Sequence, residues 1–475
     1  MCHAHQPTDQ TVCSTSRLVG FNYVTPTSVI RRRIDEISHL TLTQTLCSPE
    51  EDGAQPTHHF GCYRGALALA GLREDFSLTV GRFTPRHDSV ASSELLRGLL
   101  MHPSTPISVV PTLPRGSRAI VYCDGLFGEQ DGKTANGLVR HSEKYEILSV
   151  IDRSQAGVDA GELLDGEPNG IPVLASLDDA IAHAGSVPDY LICGLAPADG
   201  LLANAQRVVL LDGIDRGMHI INGLHEFLND DAEFVAASLA AGVTITDIRQ
   251  PKAKKDLQMF TGRIFDVTCP RIAILGTDGA VGKRTTATLL VQALNERGIK
   301  AVMVGTGQTT LIQGGKYGVA LDAIIPQFCS GEVENQVVLA FANERPDVIV
   351  VEGQGALSHP AYLSSTAILR GSRPQGVIVQ HAPTREFLGD YPAIKTPTVA
   401  SEIALIEAFA DTKVIGVTIN HEGMTDAEIG SAIDQHEIEL GLPATDPLTR
   451  PLDQLVDMVL RAFPTIEAPL ASAAR

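Results

Sequence analysis

The chain reads as two parallel-sheet α/β blocks in series, behind an N-terminal segment of different character. Three observations carry that expectation. From about Pro114 onward, short apolar runs alternate with amphipathic stretches, as parallel strands joined by crossover helices require. A polar, proline-containing run, Gln250–Asp256, separates an earlier set of such units from a later one. The later set opens on an apolar strand that runs straight into a glycine-rich turn and then into a helix, at Ile274–Thr286. The expected boundaries are 1–112, 113–262 and 263–475.

In the first block, strands are expected at 118–122, 145–151, 189–193 and 206–211, with a helix beginning at Lys133. Gly128, Gly132, Lys133 and Thr134 look like a phosphate loop, but only three residues separate the two glycines. Asp152 closes the second strand, where the ribose-gripping acid of a dinucleotide site would lie. The broken glycine pattern makes that a weak signal. His225 and Glu226 follow a glycine and either line a cleft between the blocks or cap a helix.

In the second block, strands are expected at 271–275, 300–304, 347–351, 376–380 and 413–419. Residues 1–112 carry no strong motif. A capped helix is expected at Ser28–Ile37; His58, His59 and Cys62 suggest a metal half-site but lack the second pair that a zinc site needs, and Cys2, His3, His5 and Cys13 could bind a metal but lie at a chain terminus, where a fixed site is not expected.

The chemistry concentrates at Gly276, Thr277, Asp278, Gly279, Ala280, Val281, Gly282, Lys283, Arg284, Thr285 and Thr286. Successive backbone N–H groups can point at one anion there, the helix N-terminus adds partial positive charge, and the Lys283 ammonium neutralises phosphate oxygens. Glycine permits the close backbone approach. The helix is credible: Ala287, Leu289, Leu290, Val291, Ala293 and Leu294 supply an apolar face, and Gly298 is placed to end it.

Two departures from the usual phosphate loop matter. Gly276 and Gly282 enclose five residues rather than four, which resembles the loop of dethiobiotin synthetase-like proteins. Arg284 stands where a Ser or Thr hydroxyl ordinarily meets Mg²⁺, and Thr285 is displaced by about 100° around the helix. A second cation beside the phosphates suits a site that holds a phosphorylated carrier without cleaving it.

Later loops should converge on this cradle, because open α/β sheets bind ligands at the carboxyl ends of their strands. They bring Thr306, Gln308, Asp322, the Ser330–Glu334 helix start, Glu352, His359, His381, Arg385 and Asn420. Glu352, just past a strand, can hold Mg²⁺ or accept a proton; His359 and His381 are alternative bases. Arg385 or Arg284 is a candidate for an acceptor carboxylate.

Taken together, KTA at Lys133–Ala135, GLHEFL at Gly223–Leu228, the Gly276–Thr286 loop, GTGQT at Gly305–Thr309, Asp322 with Phe328–Glu334, and EGQG from Glu352 followed by His359 and Pro360 resemble the D-glutamate N-acetyltransferase-like family. The resemblance spans about 114–464. It implies a Rossmann-like parallel-sheet domain followed by a P-loop NTPase-like α/β domain. The implied activity is N-acetyl transfer from acetyl-CoA to an amino acid such as D-glutamate. On that reading the loop holds the coenzyme A phosphates, and Glu352 or His359 is the base. Lys133, Thr134, His225, Glu226, Thr306, Gln308, Asp322, His381 and Arg385 surround the substrate, and no resident metal is implied.

Two other readings stay open. One is an ATP-dependent ligase or kinase of the dethiobiotin synthetase type, with Lys283 on the phosphates of ATP, Thr285 and Glu352 around magnesium, and an acyl-phosphate intermediate. The other is a nucleotide-binding regulator without turnover.

Composition excludes several further classes. The 475 residues carry 37 Lys plus Arg against 56 Asp plus Glu, a net charge of −19, which disfavours nucleic acid and anionic lipid as partners. There is no Trp and aromatics make up 5%, so base stacking is not expected either. No apolar run is long enough to span a bilayer, and the first residues lack the order of a secretory signal. Eight cysteines without a CxxC pair point to a reducing cytoplasm. The expected partners are a small-molecule substrate and further copies of the chain.

Overall fold

A computed structural model describes residues 116–466 apart from Ala198. The helix expected at Ser28–Ile37 and the histidine and cysteine groups before residue 63 lie outside the described residues. Both sheets belong to one unit of the chain, His102–Arg475.

The first sheet contains β1 (Ser117–Tyr122), β2 (Tyr145–Ile151), β3 (Val173–Leu174), β4 (Tyr190–Cys193), β5 (His219–Asn222) and β6 (Ile245–Asp247). All pairings are parallel, in the order β3-β2-β1-β4-β5-β6. This is the doubly wound Rossmann arrangement, with the order reversing beside β1. Helices α1 (Lys133–Arg140), α2 (Ala160–Asp165), α3 (Leu177–Ala184), α4 (Asn204–Asp215) and α5 (Ala232–Ala241) connect the strands. Ala119–Cys123 and Tyr190–Cys193 are buried end to end, as strands covered on both faces must be.

One strand expectation fails. Gln206–Leu211 is not a strand but the middle of α4. The four-residue apolar run Val208–Leu211 is too short to separate the two periods by itself. The surroundings decide for the helix. Leu210, Gly213 and Ile214 turn inward at helical spacing while Val208 stays exposed. The Gln206 side-chain oxygen accepts from the Ala203 N–H at 2.8 Å, capping the first turn. The strand of this unit is the next apolar group, His219–Asn222.

The second sheet is larger: β7 (Arg271–Gly276), β8 (Ala301–Gly305), β9 (Tyr317–Gly318), β10 (Val348–Glu352), β11 (Gly376–His381), β14 (Lys413–Ile419) and β15 (Ala444–Thr445), ordered β15-β14-β11-β7-β10-β8-β9 and parallel throughout. A small antiparallel hairpin, β12 (Phe387–Leu388) and β13 (Tyr391–Lys395), stands apart. Helices α6 (Lys283–Glu296), α7 (Gln308–Gln313), α8 (Pro326–Glu344), α9 (Ser364–Ser372), α10 (Val399–Phe409), α11 (Asp426–Leu440) and α12 (Leu452–Ala462) complete the block. Of the expected face of α6, Ala287, Leu290, Ala293 and Leu294 are buried, whereas Leu289 and Val291 lie at its flanks and are only half-buried; Gly298 takes φ +77° just beyond the helix end.

The crossing between the sheets is pinned rather than loose. Lys252 pairs with Glu332 on α8 at 3.0 Å, and the Glu332 carboxylate accepts the Gln258 N–H at 2.7 Å. Glu334 accepts the N–H groups of Thr261 at 2.6 Å and Ile264 at 3.1 Å. The Ser330–Glu334 stretch therefore corrects its expectation twice. It lies inside α8, which starts at Pro326, and its carboxylates clamp the crossing segment instead of facing the phosphate loop.

β10 sits so close to β7 that Gly353, directly after Glu352, has no room for a Cβ. The carbonyl of Ile274 occupies that space, with a Leu275 methyl at 3.1 Å. Gly353→Ala should therefore cost about 1–3 kcal/mol through a forced strand shift. The check is a lowered urea midpoint with an unchanged m-value.

Candidate functional site

The carboxyl ends of the two sheets open on one cleft of about 990 Å³. One wall is the glycine loop after β7. Gly276 ends that strand in close contact with the next one: a Cβ there would meet the Gln380 carbonyl at 2.6 Å. Gly282 takes φ +103°, and Ala280 also adopts a left-handed conformation, so successive amides turn toward the cleft. Residues Gly279–Thr286 line it. Thr277 and Asp278 lie buried beneath, where Thr277 Oγ1 meets His381 Nδ1 at 2.9 Å. The Asp278 carboxylate accepts from Gly279 N at 2.7 Å, Gly389 N at 2.9 Å and Arg385 Nη1 at 3.0 Å.

Lys283 is enclosed by the loop it serves, and its Nζ donates to the Asp278 carbonyl. Burial pushes this ammonium down to about 7, against the opposing pull of Asp278. Arg284 runs away from the loop toward the first sheet. Its Nη1 donates to Gln313 Oε1 at 2.5 Å, and its guanidinium fills the space that a side chain at Gly137 would take. Burial lowers its pKa, with Glu352 opposing. Thr285 faces the cleft; Thr286 Oγ1 donates to Gln380 Oε1 at 2.5 Å.

Glu352 closes β10 and lines the cleft beside the cradle. Its Oε2 accepts Thr306 N at 3.0 Å and Thr310 Oγ1 at 2.7 Å. Burial raises its pKa, and Arg284 and these hydrogen bonds oppose the rise. Thr306 itself is buried behind Glu352, donating to the Glu352 carbonyl at 2.9 Å. Gln308 and Thr134 meet at 3.3 Å, and Thr134 and Thr309 at 3.2 Å, so these residues join α1 to α7.

The expected histidines separate. The His359 side chain is fully enclosed, stacked at 4.2 Å on Tyr362, which itself lines the cleft. His359 Nδ1 accepts from Ala361 N at 3.2 Å, Nε2 has no hydrogen-bond partner, and burial lowers its pKa. His381 packs against His436 behind the loop and is pushed by burial to about 4. Neither faces the cleft. His225 does, with Nε2 3.1 Å from Arg249 Nη1; burial, then Arg249 and Lys133, hold it at about 4. Its neighbour Glu226 accepts from Leu202 N at 2.8 Å and pairs with Arg207 at 3.5 Å, which fixes a loop.

Asp322 crosses between the blocks to pair with Arg249. Arg385 lies between Asp278 at 3.0 Å and Glu422 at 2.8 Å, so its charge is already met. Lys133 lines the cleft opposite the cradle. Asp152 is committed to Phe127 N at 2.9 Å and Ser154 N at 2.8 Å, which explains its place at the strand end without a ribose. Asn420 lines the cleft and donates to the Val281 carbonyl at 3.1 Å, bracing the loop.

Sequence reasoning missed Arg249, Gln313, Tyr362, Gln380, Asp390 and a His421–Asp446 pair. The Tyr362 hydroxyl donates to Asp390, and both line the cleft. His421 Nδ1 lies 2.6 Å from the buried Asp446 carboxylate, at the ends of the adjacent strands β14 and β15. No spacing in the sequence marks these groups, because each pair is assembled from distant segments.

With this geometry in hand, comparison with known proteins gives a consistent picture. Residues 153–251 match the family model described as the Rossmann-like domain of DUF1611, and residues 258–456 match the model of its P-loop domain. A D-glutamate N-acetyltransferase of Tritonibacter scottomollicae is 31% identical over 273 residues, 56% of this chain and 80% of that protein. Another, from a Pseudoalteromonas species, is 30% identical over 56% of this chain and 79% of its own. The crystal structure of a DUF1611 family protein from Anabaena variabilis aligns with a TM-score of 0.67 and 30% identity, covering 73% of this chain and all of that one.

The lowered Lys283 makes a pH prediction. Between about pH 7 and the unfolded lysine value near 10.4, the unfolded chain binds a proton that the ligand-free folded chain does not. Stability should therefore rise with pH across this window. Thermal melts from pH 7 to pH 10 should show a rising Tm in the wild type, with that increment missing in Lys283→Met.

Proposed function

The chain belongs to the DUF1611 family, and we propose that it transfers an acetyl group to the amine of an amino acid such as D-glutamate, the acceptor in the names of its curated relatives, and that acetyl-CoA is the donor. The amides of Gly279–Thr285 and the Lys283 ammonium hold the donor's phosphates at the N-terminus of α6. Lys283 gains most from such a ligand, because an anion restores the charge that burial disfavours.

Transfer requires the acceptor ammonium to lose a proton before its nitrogen attacks the thioester carbonyl. The C–N bond then forms, the C–S bond breaks, and the thiolate leaves to take up a proton. On this reading Glu352 accepts the proton; what supports the role is that it lines the cleft next to the cradle and that burial raises its pKa, which makes it a stronger base than an exposed carboxylate. The Gly353–Gly355 turn lines the same space, and this reading assigns its backbone N–H groups to the developing oxyanion.

The observation that favours transfer over ATP-driven ligation is the placement of Arg284. The residue after the loop lysine, where a metal-binding hydroxyl is ordinarily found, sends a guanidinium to Gln313 and the first sheet.

Isothermal titration separates the two chemistries. Acetyl-CoA should bind the wild type and fail to bind Lys283→Ala, whereas tight Mg·ATP binding with phosphate release on adding an acceptor would overturn the proposal. Glu352→Gln keeps an acceptor oxygen for Thr306 and Thr310, so it should bind acetyl-CoA within about twofold of wild type yet lose about 10²–10⁴ in kcat. In the wild type, kcat/KM should fall on acidification through a pKa above the ordinary carboxylate value, because only the ionised Glu352 accepts a proton.

A further inference from the structure

The wall opposite the cradle is built by the first sheet, and the donor's phosphates do not account for it. Lys133 opens α1 in the connection after β1, His225 follows β5, and Arg249 lies two residues beyond β6. All three sit at the carboxyl edge of the Rossmann-like sheet and line the cleft. The two sheets thus present their ligand-binding edges to one another, which suits a two-substrate reaction with one substrate on each edge.

Arg249 is rigidly placed. Its Nε donates to the Gly223 carbonyl at 2.6 Å, and Nη1 meets His225 Nε2 at 3.1 Å and the Asp322 carboxylate. Its other terminal nitrogen has no hydrogen-bond partner among the described residues. Lys133 likewise has none, whereas three cations on the cradle side of the cleft are engaged: Lys283 by the Asp278 carbonyl, Arg284 by Gln313, Arg385 by Asp278 and Glu422. The cleft walls and the neighbouring Arg249 charge lower the Lys133 pKa, with Asp390 and Asp131 opposing. Asp390 is itself taken by the Tyr362 hydroxyl and by Gln130 at 3.3 Å. An unpaired ammonium beside a fixed guanidinium, both turned into a cleft, recognises a carboxylate.

We propose that Lys133, backed by Arg249, binds a carboxylate of the acceptor and so restricts the reaction to carboxylate-bearing amines. This rests on the acyl-transfer reading for the identity of the substrate, but not for the existence of the site.

The test uses three acceptors in parallel: D-glutamate, D-glutamine, which lacks the side-chain carboxylate, and γ-aminobutyrate, which lacks the α-carboxylate. Lys133→Met should raise the KM for D-glutamate by about 10–100-fold, the loss of one charged hydrogen bond. Its acetyl-CoA Kd should stay within about twofold, and Lys133→Arg should recover most of the KM. With whichever truncated acceptor lacks the carboxylate that Lys133 holds, wild type and Lys133→Met should perform alike. An acetyl-CoA Kd weakened as much as the KM would show that Lys133 holds a donor phosphate instead, and an unchanged KM for all acceptors would equally overturn the proposal. Titration of D-glutamate alone, without any donor, separates this from the function as a whole. Heat on binding to wild type that is lost in Lys133→Met supports the site even if no acetylated product forms. Absence of binding to the wild type contradicts it.

Discussion

A lysine ammonium folded into its own loop, away from water, sets the terms for the rest of this protein. Lys283 finds only a backbone carbonyl in the described structure, and desolvation outweighs the attraction of Asp278. Such a group is a stored demand for negative charge. The neighbouring residues keep it in place rather than satisfy it. Gly276 leaves no gap against β11, Gln380 collects the hydroxyls of Thr286 and Thr418, and the Asp278 carboxylate spends its oxygens on Arg385 and two backbone amides. An anion entering the cleft meets a charge that was held ready for it.

The second consequence concerns the junction between the sheets. Arg284, one position along from the lysine, leaves the loop and enters α1 at Gly137, the position where an added Cβ would collide with it. Gln313 on α7 receives that guanidinium and donates from its own amide to the carbonyls of Gly137 at 2.7 Å and His141 at 2.6 Å. The phosphate loop, α7 and α1 thus share one hydrogen-bonded seam. At the far side Arg249 and Asp322 make the corresponding link. Ligand contacts at the loop are therefore mechanically continuous with the wall that carries Lys133.

Much of this was legible from residue order. The parallel sheets, the loop, α6 with its inward face and the ending at Gly298 follow from apolar period and glycine placement, which are local properties. The helix at 204–215 was not, because a run of Val208–Leu211 fits either period until its neighbours are known. The pairings that define the cleft were also out of reach. Arg249 with Asp322, Tyr362 with Asp390, and His421 with Asp446 each join separate loops or strand ends, 25 to 73 residues apart in the chain. Motif residues carried a further ambiguity: Glu332, Glu334, Asp152 and Glu226 stand out in sequence, yet each serves backbone N–H groups that would otherwise be buried without partners. A prominent carboxylate is as readily a brace as a base. The same holds for His359, which sits one aromatic ring behind the cleft surface.

The central claim is that the cradle carries a phosphorylated donor whose phosphates leave as they came. It is tested most directly by following one reaction mixture that contains acetyl-CoA, D-glutamate and Mg·ATP, and measuring acetylated amino acid, free coenzyme A thiol and inorganic phosphate together. The account predicts product and thiol in equal amounts, no phosphate, and the same rate when ATP is omitted. Phosphate or ADP appearing in step with product, and loss of product without ATP, would contradict it.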